Sequence, residues 1–219
     1  MGIFKSLFGG GNTEDAAPRT LTHPKDLQVN DLVKFGFAAQ TGISAADFKV
    51  TAVNTIHFSA DQEPATIFTL EGMEDMFTLS LRNETSGTLL ELGKVVLPEQ
   101  IEQIFPWEQF VDIIEPDTGA HHTLERLAEP DELAGWTAQQ YSQEAGGGDE
   151  AYFHAGDYRE RSLPEGKDEC EPFDYYLMVS PDRLHALRIA VFDGGRSEAT
   201  LLVYLPLNKL EEMWPASNN

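Results

Sequence analysis

Apolar and polar positions alternate in short bursts through the first half of the chain. Phe48, Val50 and Ala52 alternate with polar neighbours in FKVTAVNTIHF, as do Phe77, Leu79 and Leu81 in MFTLSLRN. Successive side chains on a strand point to opposite faces, so this period of two predicts strands with one buried face. DLVKFGF, ATIFTLEG and TLLELGKVVL are similarly rich in Val, Ile, Thr and Phe, and Gly, Asn, Asp and Pro punctuate the joins. These joins are too short for crossover helices, which predicts antiparallel pairing.

The pattern changes after Leu97. Pro98 and Glu99 suit a first helical turn, and Ile101, Ile104 and Phe105 recur at helical spacing until Pro106 interrupts them. Further helical turns are expected through Trp107, Phe110, Val111 and Ile114, then over Thr123 to Leu133. WTAQQYSQE and EAYFHAGDYRERS read as a hairpin about AGGGD. FDYYLMVS, LHALRIAVF and ATLLVYL read as strands joined by the turn sequences SPDR and DGGRSE. A last short helix is expected from Leu207 to Trp214.

Two segments echo each other: TLLELGKVVLPEQIEQIFP from Thr88 and TLLVYLPLNKLEEMWP from Thr200. Each reads as a strand, a Leu-Pro junction and a short amphipathic helix. The expected class is therefore α+β, predominantly antiparallel β-sheet with a few short helices, and the echo suggests two similar β-meander-plus-helix halves. The organisation read from the chain is a flexible tether over 1–26, an N-terminal β-rich half over 27–115 and a C-terminal β-rich half over 116–219, each half closed by a helix.

Charge narrows the function classes. The 219 residues carry 37 acidic and 15 basic side chains, a formal net charge of −22. From Asp112 to Asp174 there are 17 acidic and 4 basic residues, so the excess is concentrated in the middle of the chain. A surface this negative repels phosphate backbones, which argues against nucleic-acid binding. No apolar run reaches the roughly 20 residues of a membrane helix, and the first eleven residues lack the apolar core of a signal peptide, so no stable membrane insertion and a cytoplasmic address are expected. The single cysteine, Cys170, cannot form an internal disulfide, and its acidic neighbours deactivate the thiol.

Candidate chemistry is sparse. His121 and His122 lie among Glu115, Asp117 and Glu125, but adjacent residues point in different directions and rarely supply two ligands to one ion. His57 and His154 fall on candidate strands. Neither Gly9 to Gly11 nor Gly146 to Gly148 has the surroundings of a phosphate loop. No catalytic residue, metal ligand or cofactor is assigned. At the N-terminus Ile3, Phe4, Leu7 and Phe8 share one face of a helical turn or two, which suits docking on a protein partner, one associated with a membrane included.

The head MGIFKSLFG, the run FDYYLMVSPDRLHALRIAVFDGGRSEATLLVYLP and the terminal LEEMWP resemble the YjfK-like family of bacterial proteins. The resemblance implies a cytosolic protein whose gene setting is similar to that of a PspA-like membrane-stress protein, a small multi-spanning membrane protein and a glutathionylspermidine-synthetase-like ligase. It transfers no catalytic residue. The expected function is that of a non-enzymatic accessory or adaptor in a bacterial envelope-related or stress-related system, acting through protein contacts. The alternative is a small-ligand-binding protein or a hydrolase-like enzyme with a pocket near His121 and His122. Because mutual repulsion among the acids opposes compaction, the melting temperature at pH 7 should rise with added salt; a salt-independent value in a thermal scan would show the acids already balanced by local pairing.

Overall fold

A computed structural model describes residues 19–59, 63–85, 87–114, 122–146, 149–164 and 169–217. Its strands are β1 (Leu32–Phe35), β2 (Asp47–Phe58), β3 (Ala65–Glu71), β4 (Met76–Glu84), β5 (Gly87–Val96), β6 (Thr123–Glu125), β7 (Gln140–Ala145), β8 (Glu150–His154), β9 (Glu171–Val179), β10 (His185–Phe192), β11 (Ser197–Pro206) and β12 (Leu210–Trp214). Two short helices, α1 (Pro98–Ile104) and α2 (Trp107–Ile114), separate β5 from β6. All pairings are antiparallel, as the short joins predict.

Eight strands close into a barrel. Along the sheet β2, β3, β4, β5, β11, β10 and β9 follow one another, and β8 pairs with both β9 and β2 to complete the ring. The long strands divide their edges to allow this. On one edge of β2, Asp47 to Lys49 pair with β1, whereas Thr55 to Phe58 pair with β8. On one edge of β9, Glu171 to Asp174 pair with β8, whereas Leu177 to Val179 pair with β7. A register shift between Val50 and Ala52 marks where β2 passes from one role to the other. β12 extends β1 and β6 extends β7, so two flaps flank the ring.

Several expectations need correction. β7 and β8 do not form a hairpin with each other; they lie end to end on the same edge of β9, because each is too short to fill that edge alone. The segment Leu207 to Trp214 is not a helix: one 3-10 turn over Leu207–Lys209 leads into β12, whose backbone satisfies the open edge of β1. Leu210 is buried there, but Trp214 is 39% exposed. Thr123 to Leu133 likewise holds only β6 and a 3-10 turn at Asp131–Leu133. The two echoing segments therefore diverge after the Leu-Pro junction, and their strands β5 and β11 pair with each other from Ala199↔Val96 to Pro206↔Leu89.

The first helices are as expected. Pro98 opens α1, the Gln100 side chain accepts a hydrogen bond from the Leu97 N–H at 3.0 Å, and Ile101, Ile104 and Phe105 are buried. Beyond Pro106, α2 buries Phe110 and Ile113. Both helices cover the main core, where Leu70, Leu79, Leu92, Val203 and Leu187 lie fully buried on one face of the strands. An aromatic chain runs through this core. Phe35 meets Phe48 edge-on at 5.8 Å, Phe48 meets Phe77 at 5.5 Å, and Phe77 stacks on Trp136 at 5.2 Å.

Trp136 joins the two flaps. Its indole N–H donates to the Thr41 carbonyl at 2.9 Å, the Gln40 amide donates to the Gly135 carbonyl at 2.9 Å, and the Thr41 N–H donates to the Ala134 carbonyl at 3.0 Å. Gly135 has φ +79°, and a Cβ there would stand 2.6 Å from the Ala39 carbonyl oxygen, so only glycine allows this approach. Trp136→Ala should cost about 3–5 kcal/mol in urea unfolding, because it leaves a cavity and an unpaired carbonyl, whereas exposed Trp214→Ala should cost well under half as much.

Candidate functional site

The strand face opposite the main core turns into the barrel. Its residues follow from alternation: Ile56 on β2, Ile67 on β3, Ser80 and Arg82 on β4, Glu91 on β5, Thr200, Leu202 and Tyr204 on β11, Ala186, Arg188 and Ala190 on β10, and Phe173, Tyr175 and Leu177 on β9. Two apolar clusters occupy this interior. One gathers Ile56, Ile67, Ala151, Phe173 and Ala190; the other gathers Leu177, Val179, Ala186, Leu202 and Tyr204, and Tyr175 packs against both.

Between the clusters lies a cavity of about 580 Å³. Seven of the eight barrel strands line it, all but β11: Phe58, Ala65, Ile67, Ser80, Arg82, Glu91, Tyr175, Leu177 and Arg188 supply its inner walls, and Glu150 of β8 stands at its rim. Phe58 and Tyr175 reach over β8, their ring centroids 4.7 Å apart. Gly93 lies between Thr78 and Leu202, and a Cβ there would come within 2.4 Å of the Thr78 hydroxyl oxygen. The mouth is acidic, with Glu63, Glu144, Asp149 and Glu150 around it.

Polar groups converge on the inner wall. Arg188, only 8% exposed, brings a guanidinium nitrogen 3.5 Å from a Glu91 carboxylate oxygen, which also accepts the Ser80 hydroxyl at 3.0 Å. Arg82 donates to the Tyr204 hydroxyl at 2.8 Å, lies over its ring at 4.6 Å, and pairs with Glu84 at 3.0 Å. Burial disfavours the Arg82 charge, yet Tyr204, Glu91 and Glu84 outweigh it and hold the pKa above its ordinary value. Burial, reinforced by the Glu91 charge, pushes the Tyr204 phenol well above the usual range, so it stays protonated. At the rim, the Arg183 hydrogen bond holds Glu144 below the usual carboxylate range.

A shallower groove of about 1210 Å³ adjoins the mouth and shares Glu63, Pro64, Ala65, Leu81 and Asn83 with it. Arg19, Lys25, Arg159 and Arg161 line this groove, with Asp26, Asp157 and Glu160 beside them. Arg159 pairs with Asp157, donates to the Lys25 carbonyl and lies 5.4 Å over Phe68. Arg159 thereby ties 157–161 to 19–28 and to the barrel wall, and Arg19 pairs with Asp31.

Of the candidate residues singled out in the sequence, those that are described do not line the cavity. Ile3, Phe4, Leu7, Phe8 and His121 fall outside the described residues. His122 is half-buried beside β6, its backbone N–H 3.4 Å from the Gln143 side-chain oxygen, and it lines neither cavity. Cys170 is half-buried ahead of β9. His57 lies across from Tyr152 on the outer side of β2, with ring centroids 6.4 Å apart. Among the described residues no group of three or more His, Cys, Asp or Glu is placed to hold a metal ion. No helix among them is long and apolar enough to cross a membrane. Alternation alone points Ser80, Arg82, Glu91 and Arg188 to one face, but which face becomes a cavity depends on ring closure, so sequence patterning passed them over.

No family model, no curated protein and no solved structure matches the chain.

His154 is a structural titrating group. It is buried opposite Thr55, its Nδ1 has no hydrogen-bond partner, and the Tyr158 ring stands 5.8 Å away. Burial, and secondarily the His57 charge, lower its pKa below the ordinary 6.5. As pH falls through 6.5 the unfolded chain takes up a proton that the folded chain resists, so folding stability present above that pH is lost below it. Chemical denaturation at stepped pH should show this loss, and His154→Gln should flatten it.

Proposed function

We propose that the protein is a non-enzymatic binding protein whose barrel takes a small organic ligand. One observation carries this reading: a cavity of about 580 Å³ walled by seven of the barrel strands, in which apolar side chains such as Ile67, Leu177, Phe58 and Tyr175 share the lining with the convergent polar groups Arg188, Glu91, Ser80 and Arg82. That volume lies within the roughly 300–1,000 Å³ of small-molecule sites, and the balance of apolar wall to fixed polar groups is what orients a ligand without reacting with it. Its described lining contains no histidine and no cysteine. The Ser80 hydroxyl donates to a carboxylate already paired with Arg188, an arrangement that holds Glu91 in place and leaves Ser80 a weak nucleophile.

The adaptor reading draws on a different surface. Met73 is fully exposed at the β3–β4 turn, and Met76 and Val95 are exposed two positions beyond the paired Thr78 and Gly93. Side chains of this kind on a sheet end suit contact with another protein. The two readings are compatible: a ligand-loaded barrel can report to a partner, and the YjfK-like resemblance read from the sequence is in keeping with such a role in a bacterial envelope-related or stress-related system.

Binding is tested with N-phenyl-1-naphthylamine, an uncharged probe whose fluorescence rises in apolar surroundings. The wild-type chain should enhance it saturably, and Ala65→Trp, which fills the cavity wall near the mouth, should abolish the enhancement while near-UV circular dichroism stays native. Equal enhancement by wild type and Ala65→Trp would place the probe outside the barrel and overturn the reading.

A further inference from the structure

We infer that the ligand of the barrel is an organic monoanion, a single carboxylate or sulfonate on an apolar body, with its charged head on Arg188. This rests on the barrel being a ligand site.

Of the two arginines among the described residues that line the cavity, Arg188 is the less engaged. A guanidinium carries five N–H donors, and that of Arg188 has a single charged neighbour, Glu91, at 3.5 Å, a separation beyond the usual charge-assisted hydrogen bond. Arg82 differs: Tyr204 and Glu84 both engage it. A planar fork with free donors, nine-tenths buried at the side of a cavity, is the arrangement that binds a carboxylate or sulfonate through two parallel hydrogen bonds.

The charges set the valence. On the inner wall Arg82 is matched by Glu84 at 3.0 Å, whereas Arg188 faces Glu91 at the looser separation of 3.5 Å, so the wall is balanced and Arg188 alone is placed to meet one further anionic head. A monoanion brings a single charge that the Arg188 donors can meet, whereas a dianion would bring a second charge with no cation to face it. Outside, Glu63, Glu144, Asp149 and Glu150 ring the mouth, and among the described residues only Glu144 of these has a cation paired to it, Arg183 at 2.8 Å. That rim disfavours polyanions such as phosphate monoesters during entry. The rest of the ligand meets Ile67, Leu177, Phe58 and Tyr175, which favours an aliphatic or aromatic body.

The test compares two probes of similar shape on the full chain: 1-anilinonaphthalene-8-sulfonate, a monoanion, and uncharged N-phenyl-1-naphthylamine. Wild type should bind the sulfonate, with inorganic phosphate unable to displace it. Arg188→Met should weaken the sulfonate at least tenfold and the neutral probe less than twofold. Glu91→Gln, which removes a competing acceptor and a like charge, should tighten the sulfonate. Arg188→Met combined with Glu91→Gln leaves no buried unpaired charge and serves where the single substitution fails to fold; it should keep neutral-probe binding and lose the preference for the sulfonate. Sulfonate affinity indifferent to Arg188, with the neutral probe still bound and still blocked by Ala65→Trp, would overturn the monoanion assignment alone. Binding of neither probe would overturn the ligand site itself.

Discussion

The fold depends on β8, a strand of five residues that satisfies two edges at once. An antiparallel sheet leaves open backbone donors and acceptors at each end, and a buried open edge is costly. Here β2 and β9 are the ends of a seven-strand run, and each has half an edge unpaired once the flaps are in place. β8 occupies both halves, pairing through Thr55↔His154 to Phe58↔Ala151 on one side and Glu150↔Asp174 to Phe153↔Glu171 on the other. Without it the run would be an open sheet with no interior, and the cavity would not exist.

Closure at one end and opening into flaps at the other produce two apolar environments on opposite faces of the same strands. The main core lies under α1, α2 and the flaps, locked by Trp136 against the loop that holds Gln40 and Thr41. The barrel interior holds the two smaller clusters and, between them, the polar group of Arg188, Glu91 and Ser80. A core filled on one face leaves the other free to be hollow. That division lets stability and binding be carried by different side chains of one strand, such as Leu79 outward and Ser80 inward on β4.

Asp31 anchors the chain's outer segments to this frame. Fully buried, it pairs with Arg19 and accepts the backbone N–H groups of Gln28 at 2.7 Å and Ala216 at 2.9 Å. The described residues nearest both termini are thereby held on β1. Arg159 performs a related task for the loop after β8, binding the Lys25 carbonyl. In a chain of net charge −22, several of the 15 basic residues are committed to such structural pairs, which makes the unfilled donors of Arg188 stand apart.

The sequence by itself determined the local elements wherever one short-range constraint dominates. Period-two alternation marks β2 and β4, Pro98 and the Ile101–Ile104–Phe105 spacing mark α1, and SPDR and DGGRSE mark the turns about β10. Local pattern failed where the same residues serve two geometries. Leu207 to Trp214 has the composition of a helix, yet β1 offers an open edge and Leu210 to Trp214 pair with it. QQYSQEA and EAYFH look like partners but share β9 instead, a choice made by which edge stays vacant after the rest of the sheet has formed. β10 and β11 are buried on both faces because a barrel has an inside and this one also has a covered outside, so alternation there cannot say which face is which. The cavity and its arginine follow from closure, which pairs strands far apart in the chain, as Thr55 and His154 are; only the tertiary structure decided it.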